Sequence, residues 1–239
     1  MMSDPIFVSS PTDVRKGDKA LNALEQTNDT RFETDDGVLK VDDDRYAIAQ
    51  AYERYSWLTH NINMATDRNE FHRDMLGGYA ALPDNLGKYL ELGCGVFTNT
   101  RFILPEHPAE KVYLLDPLIK DFVSDHPNCT YADGTLVGHD VEFVDKRIED
   151  WNTRQKFDCI VMINVIPHCQ DALAILDFIR KHIKKGGYVV LGEFPREHSA
   201  ATHYDAGHPL ALKAHILEDF LSEFEEVYRN GWYFIGQAT

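Results

Sequence analysis

From Lys88 to the carboxyl end, apolar positions follow two alternating periods. Short, nearly continuous apolar runs predict buried strands: KYLELG from Lys88, KVYLLD (111–116), VEFVDK (141–146), FDCIVMIN (157–164) and YVVLGE (188–193). Between them the spacing lengthens to three and four residues, which predicts helices from Thr98, near Ile119 and over DALAILDFIRKHIKK (171–185). In the last of these Leu173, Leu176, Ile179 and Ile183 are expected on one face, basic residues suit the final turns, and Gly186-Gly187 supply a stop. A further helix over ALKAHILEDFLSEF precedes strands near EEVYR and WYFIGQ, separated by Asn230-Gly231, a favoured hairpin turn. Alternating strands and helices of this kind predict an α/β fold, a doubly wound and mostly parallel sheet ending in an antiparallel hairpin.

Upstream, RYAIAQAYERYSWLTH and NEFHRDMLGGYAAL carry helical spacing, and Pro83 and Gly87 punctuate the approach to the first strong strand. Residues 1–45 are polar and rich in Asp, Ser and Thr, with VLKV as a candidate short strand. The expected organisation is a polar arm (1–45), an N-terminal helical lid (46–84) and the main α/β domain (85–239).

The charge balance narrows the partners. Thirty-nine acidic against 24 basic residues give a formal charge of −15, a field that repels phosphate backbones, so no nucleic-acid partner is expected. No apolar run is long enough to span a membrane, and the N-terminus lacks the pattern of a signal peptide. Cys94, Cys129, Cys159 and Cys169 form no metal-type pair, and Cys94 and Cys159 lie in apolar strands, as free thiols of a reducing compartment do. The expectation is a cytoplasmic protein without a resident metal.

The candidate chemistry begins at Gly93-Cys94-Gly95, where the first buried strand ends. Paired glycines there let the backbone approach a ligand and present N–H donors. Asp116, closing the next apolar strand before Pro117, stands where a carboxylate accepts ribose hydroxyls in folds of this kind. The bland readings are a simple tight turn and a helix cap.

These residues carry a resemblance. ELGCGVFTNT resembles the first motif of S-adenosylmethionine-dependent methyltransferases with the Rossmann-like seven-stranded fold. LLDP resembles their second, the stretch Arg147–Trp151 their third, FDCIVMINVIPHCQD their fourth and IKKGGYVVLGE their fifth, in order over roughly residues 85–195. The resemblance implies S-adenosylmethionine as cofactor. It places Glu91, Gly93, Cys94 and Gly95 around its methionine part, Asp116 and Pro117 at the ribose, Arg147 and Ile148 at the adenine side and Asn164 facing the methyl group. Tyr55 and Arg73, on helices before the first strand, are candidates for its carboxylate. Two departures stand out: Phe97 replaces the third glycine of the dinucleotide fingerprint, and Arg147 stands where Asp is frequent.

The implied activity is methyl transfer to an O or N nucleophile of a small molecule, a sugar or secondary metabolite being the candidates. A non-catalytic S-adenosylmethionine-binding regulator, a protein methyltransferase and aminopropyl transfer stay open beside it. A hydroxyl acceptor needs a base, for which His168, His203, His208 and Glu193 are the candidates. His168 falls in VIPH, similar to the family's VLEH, where the histidine often serves structure. The spacing His203-x-Asp205-x-x-His208 also suits a divalent metal, or an ordinary polar loop.

Overall fold

The computed structural model describes residues 33–59, 67, 69–195 and 206–239. Its centre is an eight-stranded sheet in the order β10-β11-β8-β7-β3-β4-β6-β5. The parallel strands are β3 (Lys88–Leu92), β4 (Lys111–Leu115), β6 (His139–Val144), β7 (Phe157–Ile163) and β8 (Ile183–Gly192). An antiparallel hairpin of β10 (Phe224–Asn230) and β11 (Tyr233–Ala238) closes one edge, and β5 (Thr135–Leu136) pairs antiparallel with β6 at the other. The two-residue β5 is the addition to the seven expected strands.

The helices are α1 (Asp43–Thr59), α2 (Asn69–Met75), α3 (Thr100–Ile103), α4 (Ile119–Asp125), α5 (Ala172–His182) and α6 (Ala214–Leu221). They cover both faces, and strand periodicity divides the core between them. Leu90, Leu92, Ile160, Met162, Val189 and Leu191 pack with Ile175, Leu176, Ile179, Leu217 and Phe220 on one side. Their strand neighbours Tyr89, Cys159, Val161 and Val190, with Val112 and Leu114, join Leu76, Tyr79, Ile103 and Ile119 on the other. Side chains at successive strand positions point to opposite faces, so strands covered on both sides must be apolar throughout.

Two predicted details shift. Helix α5 stops at His182 because Ile183 turns extended and pairs with Phe157, so Gly186-Gly187 lie inside β8 at a register irregularity. Its buried face is Ala172, Ile175, Leu176, Phe178 and Ile179, while Leu173 is 47% exposed. At the hairpin, Asn230 pairs with Tyr233, so Gly231 and Trp232 form the turn, with Gly231 at the positive φ such turns require.

A second, small sheet joins distant parts of the chain. The hairpin of β1 (Glu33–Thr34) and β2 (Gly37–Val38) continues antiparallel into β9 (Ala211–Leu212). The VLKV segment thus contributes Val38 to a strand, and Val41 N–H donates to the Gln170 carbonyl. Helix α1 runs from this tie across the sheet's carboxyl end, held by Arg45 Nη1 to the Ala206 carbonyl (2.9 Å), Gln50 Nε2 to the His168 carbonyl (3.1 Å) and Arg54 to Asp121 (2.9 Å). Among the described residues no helix is long and apolar enough to cross a membrane.

Candidate active site

The chain leaves β3 toward β4 and β6 on one side, then crosses to β7 and β8 on the other. The carboxyl ends of β3 and β7 therefore diverge into a crevice, as at the switch point of any doubly wound sheet. A cleft of about 230 Å³ occupies it, floored by Gly93–Phe97, Leu115–Leu118 and Ile163–Val165, and roofed by α1.

Gly93 and Gly95 both hold positive φ, at 61° and 57°, but they serve different ends. A Cβ on Gly93 would meet Val165 Cγ2 at 2.6 Å, so this glycine lets β3 and the turn after β7 touch. A Cβ on Gly95 would meet no atom within 4 Å; it points into open space. Asp116 bridges the turn, its Oδ2 accepting from Gly95 N–H (3.1 Å) and its Oδ1 from Leu118 N–H (2.8 Å). Burial pushes this carboxyl up to about 6, against the lowering effect of the two backbone donors.

Most residues expected at the cofactor line the cleft: Gly93, Cys94, Gly95, Asp116, Pro117, Arg147, Ile148 and Asn164. Asn164 adopts the left-handed φ of 57°, tolerable for Asn, and its N–H bonds the Gly192 carbonyl at 2.9 Å. The Cys94 thiol, raised by burial, lies 3.5 Å from the Tyr131 hydroxyl.

Glu91, Tyr55, Arg73 and Glu193 are not brought into the cleft. Glu91 is buried behind the glycine turn, where its carboxylate accepts from Asn99 N–H (2.9 Å), Thr100 N–H (3.1 Å) and the hydroxyls of Thr98 and Thr100. It satisfies the orphan donors at the start of α3 and so fixes the loop that the cleft uses. Tyr55 lies on the wrong face of α1, since the cleft takes Tyr46, Gln50, Glu53 and Trp57 at helical spacing. Arg73 bonds Asp74 at 2.8 Å and covers the Phe102 ring, and its neighbour His72 faces the cleft instead. Glu193 is buried and accepts from Val165 N–H (2.8 Å) and Ile166 N–H (3.3 Å), holding the turn after β7.

Of the histidine candidates, His168 and His208 line the cleft, with ring centroids 4.2 Å apart. His203, like Asp205, lies outside the described residues. Among the described residues no cluster of His, Cys, Asp or Glu is arranged to hold a metal ion.

Sequence reasoning missed Glu53. Its Oε1 lies 3.3 Å from His168 Nδ1, which also bonds the Gly207 carbonyl at 3.0 Å, and Trp57 Nε1 donates to Oε2 at 3.1 Å. Burial alone would raise this carboxyl, but the charges and hydrogen bonds of His168, with His208 and Trp57, bring it below its ordinary value. Burial likewise opposes a charged His168, and Glu53 overcomes it, so the imidazole is raised. The available signal was the run Gln50, Glu53, Trp57, a polar and aromatic stripe at helical spacing on a helix with no continuous apolar face.

A family model described as a methyltransferase domain matches residues 64–226. No curated protein matches the chain. Among solved structures, the N-methyltransferase NodS of Bradyrhizobium japonicum WM9, in complex with S-adenosyl-L-homocysteine, is similar at 17% identity with a TM-score of 0.57. The match covers 80% of this chain and 97% of that one. An O-methyltransferase family protein of Burkholderia thailandensis matches over 95% of this chain and 71% of its own, at 13% identity and TM-score 0.59. The 1,6-didemethyltoxoflavin-N1-methyltransferase of the same organism, bound to its named substrate and S-adenosylhomocysteine, gives 14% identity, 83% and 91% coverage and TM-score 0.52.

Proposed function

The chain belongs to the methyltransferase-domain family and uses S-adenosylmethionine as methyl donor, and on that premise we propose that it methylates an oxygen or nitrogen nucleophile of a small molecule. The residues present fit the donor: Gly95 leaves open space above a backbone turned toward the cleft, and Asp116 presents a carboxylate whose oxygens have further accepting capacity. In this reading Asp116 takes the ribose hydroxyls, the Arg147–Ile148 segment the adenine edge, and the Gly93–Gly95 turn the amino-acid part.

When bound, the donor supplies an electrophilic methyl: the acceptor's lone pair forms the new C–O or C–N bond, the C–S pair returns to sulfur, and the acceptor's proton leaves to a base. His208 is the proton acceptor in this reading. His168, whose Nδ1 faces Glu53 at 3.3 Å, is held toward its charged form by that carboxylate, and the His208 ring lies 4.2 Å from it. Glu53 and His168 are then positioning residues. Trp57, edge-on to Phe97 at 6.4 Å, lines the cleft with it.

The observation that carries the proposal is the meeting of the Gly95–Asp116 turn with the Glu53–His168–His208 cluster in one cleft. The small-molecule character of the acceptor is supported by the small molecule named for the 1,6-didemethyltoxoflavin-N1-methyltransferase neighbour. The test is calorimetric titration with S-adenosylmethionine, followed by an acceptor screen with methyl-labelled donor. Micromolar binding, lost in Asp116→Ala, with label appearing in a small-molecule fraction is expected; binding without transfer to any acceptor would favour a regulatory binder.

A further inference from the structure

Resting on the methyl-transfer reading, we propose that the acceptor is a planar aromatic or heteroaromatic ring, seated against Phe71, Phe194 and Tyr233 beside the cleft. The cleft lining falls on two sides of the switch point. Asp116 and Arg147 belong to the β4 and β6 side, whereas Asn164, Ile163 and His72 lie toward β8 and β11. The aromatic group adjoins this second side.

Tyr233 opens β11 and pairs with Gly192, the last residue of β8. The missing side chain of Gly192 makes room for it: a Cβ there would stand 3.0 Å from both Tyr233 Cε1 and Ile163 Cγ2. Tyr233 is thus packed against the cleft-lining Ile163, and its hydroxyl is tied to His72 Nδ1 at 2.7 Å. Phe71 and Phe194 both meet this fixed ring edge-on, with centroids at 6.3 and 5.2 Å. Tyr233 is buried, but Phe71 is 59% and Phe194 38% exposed. Two solvent-facing phenyl rings held by a rigid third ring beside an acceptor cleft form an aromatic seat, which favours an offset or edge-on ring. Two side chains are far too few for a protein interface, which takes about 20–30 residues a side.

The probe is 1-naphthol, with the saturated decahydro-1-naphthol as its size-matched control. Both are offered by equilibrium dialysis to the full chain saturated with S-adenosylhomocysteine. 1-Naphthol is expected to bind at least about ten-fold more tightly than the control, and Phe71→Ala combined with Phe194→Ala to erase that ten-fold, about 1.4 kcal/mol. S-Adenosylhomocysteine affinity stays unchanged in the variant, and Phe71→Tyr keeps 1-naphthol binding. Equal binding of the two probes, or an unaffected double variant, overturns the aromatic seat alone, because bound S-adenosylhomocysteine leaves the methyl-transfer reading standing. Failure of S-adenosylhomocysteine itself to bind removes both. A double variant that loses several degrees of Tm, with no 1-naphthol bound by the parent chain, would make the rings a packing seat for the chain's own residues and refute the proposal.

Discussion

Donor affinity is expected to titrate with Asp116. Its carboxyl stands at about 6, raised mainly by burial, and it must be ionised to accept two ribose hydroxyls while retaining its bonds from Gly95 and Leu118. With that value about one tenth of the population is protonated at pH 7 and about nine tenths at pH 5. If only the ionised form binds, the apparent Kd rises about ten-fold between those pH values, close to 1.4 kcal/mol. The sign for folding is opposite. A carboxyl raised by burial disfavours the folded state while ionised, so acidification relieves that penalty, about 3 kcal/mol in all, progressively from near pH 6 down through the ordinary 3.8, and about half of it by pH 5. The assay is calorimetric titration of S-adenosylhomocysteine from pH 5 to pH 8, with Asp116→Asn in parallel. The variant should bind weakly at every pH and show no step. A ten-fold step that persists in Asp116→Asn would refute the assignment and move the titrating group elsewhere in the cleft.

The two glycines should separate in a single experiment: Gly95→Ala folds with a loss of about 1 kcal/mol for its left-handed backbone but loses most donor affinity, whereas Gly93→Ala, driven into Val165, loses about 3 kcal/mol in denaturant unfolding. Glu53→Ala should cost about 3 kcal/mol at pH 6 and less at pH 8.5 by the same measurement. A raised His168 contributes its stability below the ordinary 6.5 and loses it as pH rises through the folded value, while the lowered Glu53 contributes above the ordinary 4.5; the pair's window lies between. Glu193→Ala should remove about 3 kcal/mol, because two buried backbone donors lose their acceptor; the folded fraction should keep its donor Kd, and a specific loss of turnover at full stability would instead make Glu193 part of the chemistry.

What was legible in the chain was whatever repeats locally. The central parallel strands β3, β4 and β7 are apolar on both faces, so each announced itself, and the Gly93–Gly95 turn and Asp116 sit where strand ends meet the switch point. The failures came where one residue type serves two jobs. Glu91 and Glu193 both end or adjoin strands near the cleft, and only in the folded chain are their carboxylates turned back onto backbone donors. Glu53 was illegible for the converse reason: its partner His168 is 115 positions later, and no local pattern distinguishes a glutamate facing a cleft from one facing water. Gly186-Gly187 read as a helix stop, yet the pairing of Ile183 with Phe157 ended the helix first, a non-local preference overriding a local one.

The three-strand tie of β1, β2 and β9 bears on the order in which the protein assembles during synthesis. Gly37 and Val38 leave the ribosome well before their partners Leu212 and Ala211, which lie far along the chain beyond β8. The stretch that carries Gly207 and His208 to α1 ends in β9. The part of the central sheet from β3 to β8 needs only shorter-range crossovers, so it can form beforehand, with β11 and β10 added at its edge later. A nascent chain arrested shortly after β8 would therefore present a folded β3–β8 framework, the Gly95–Asp116 turn and His168 but lack His208, and a competent cleft would arise only once β9 has emerged.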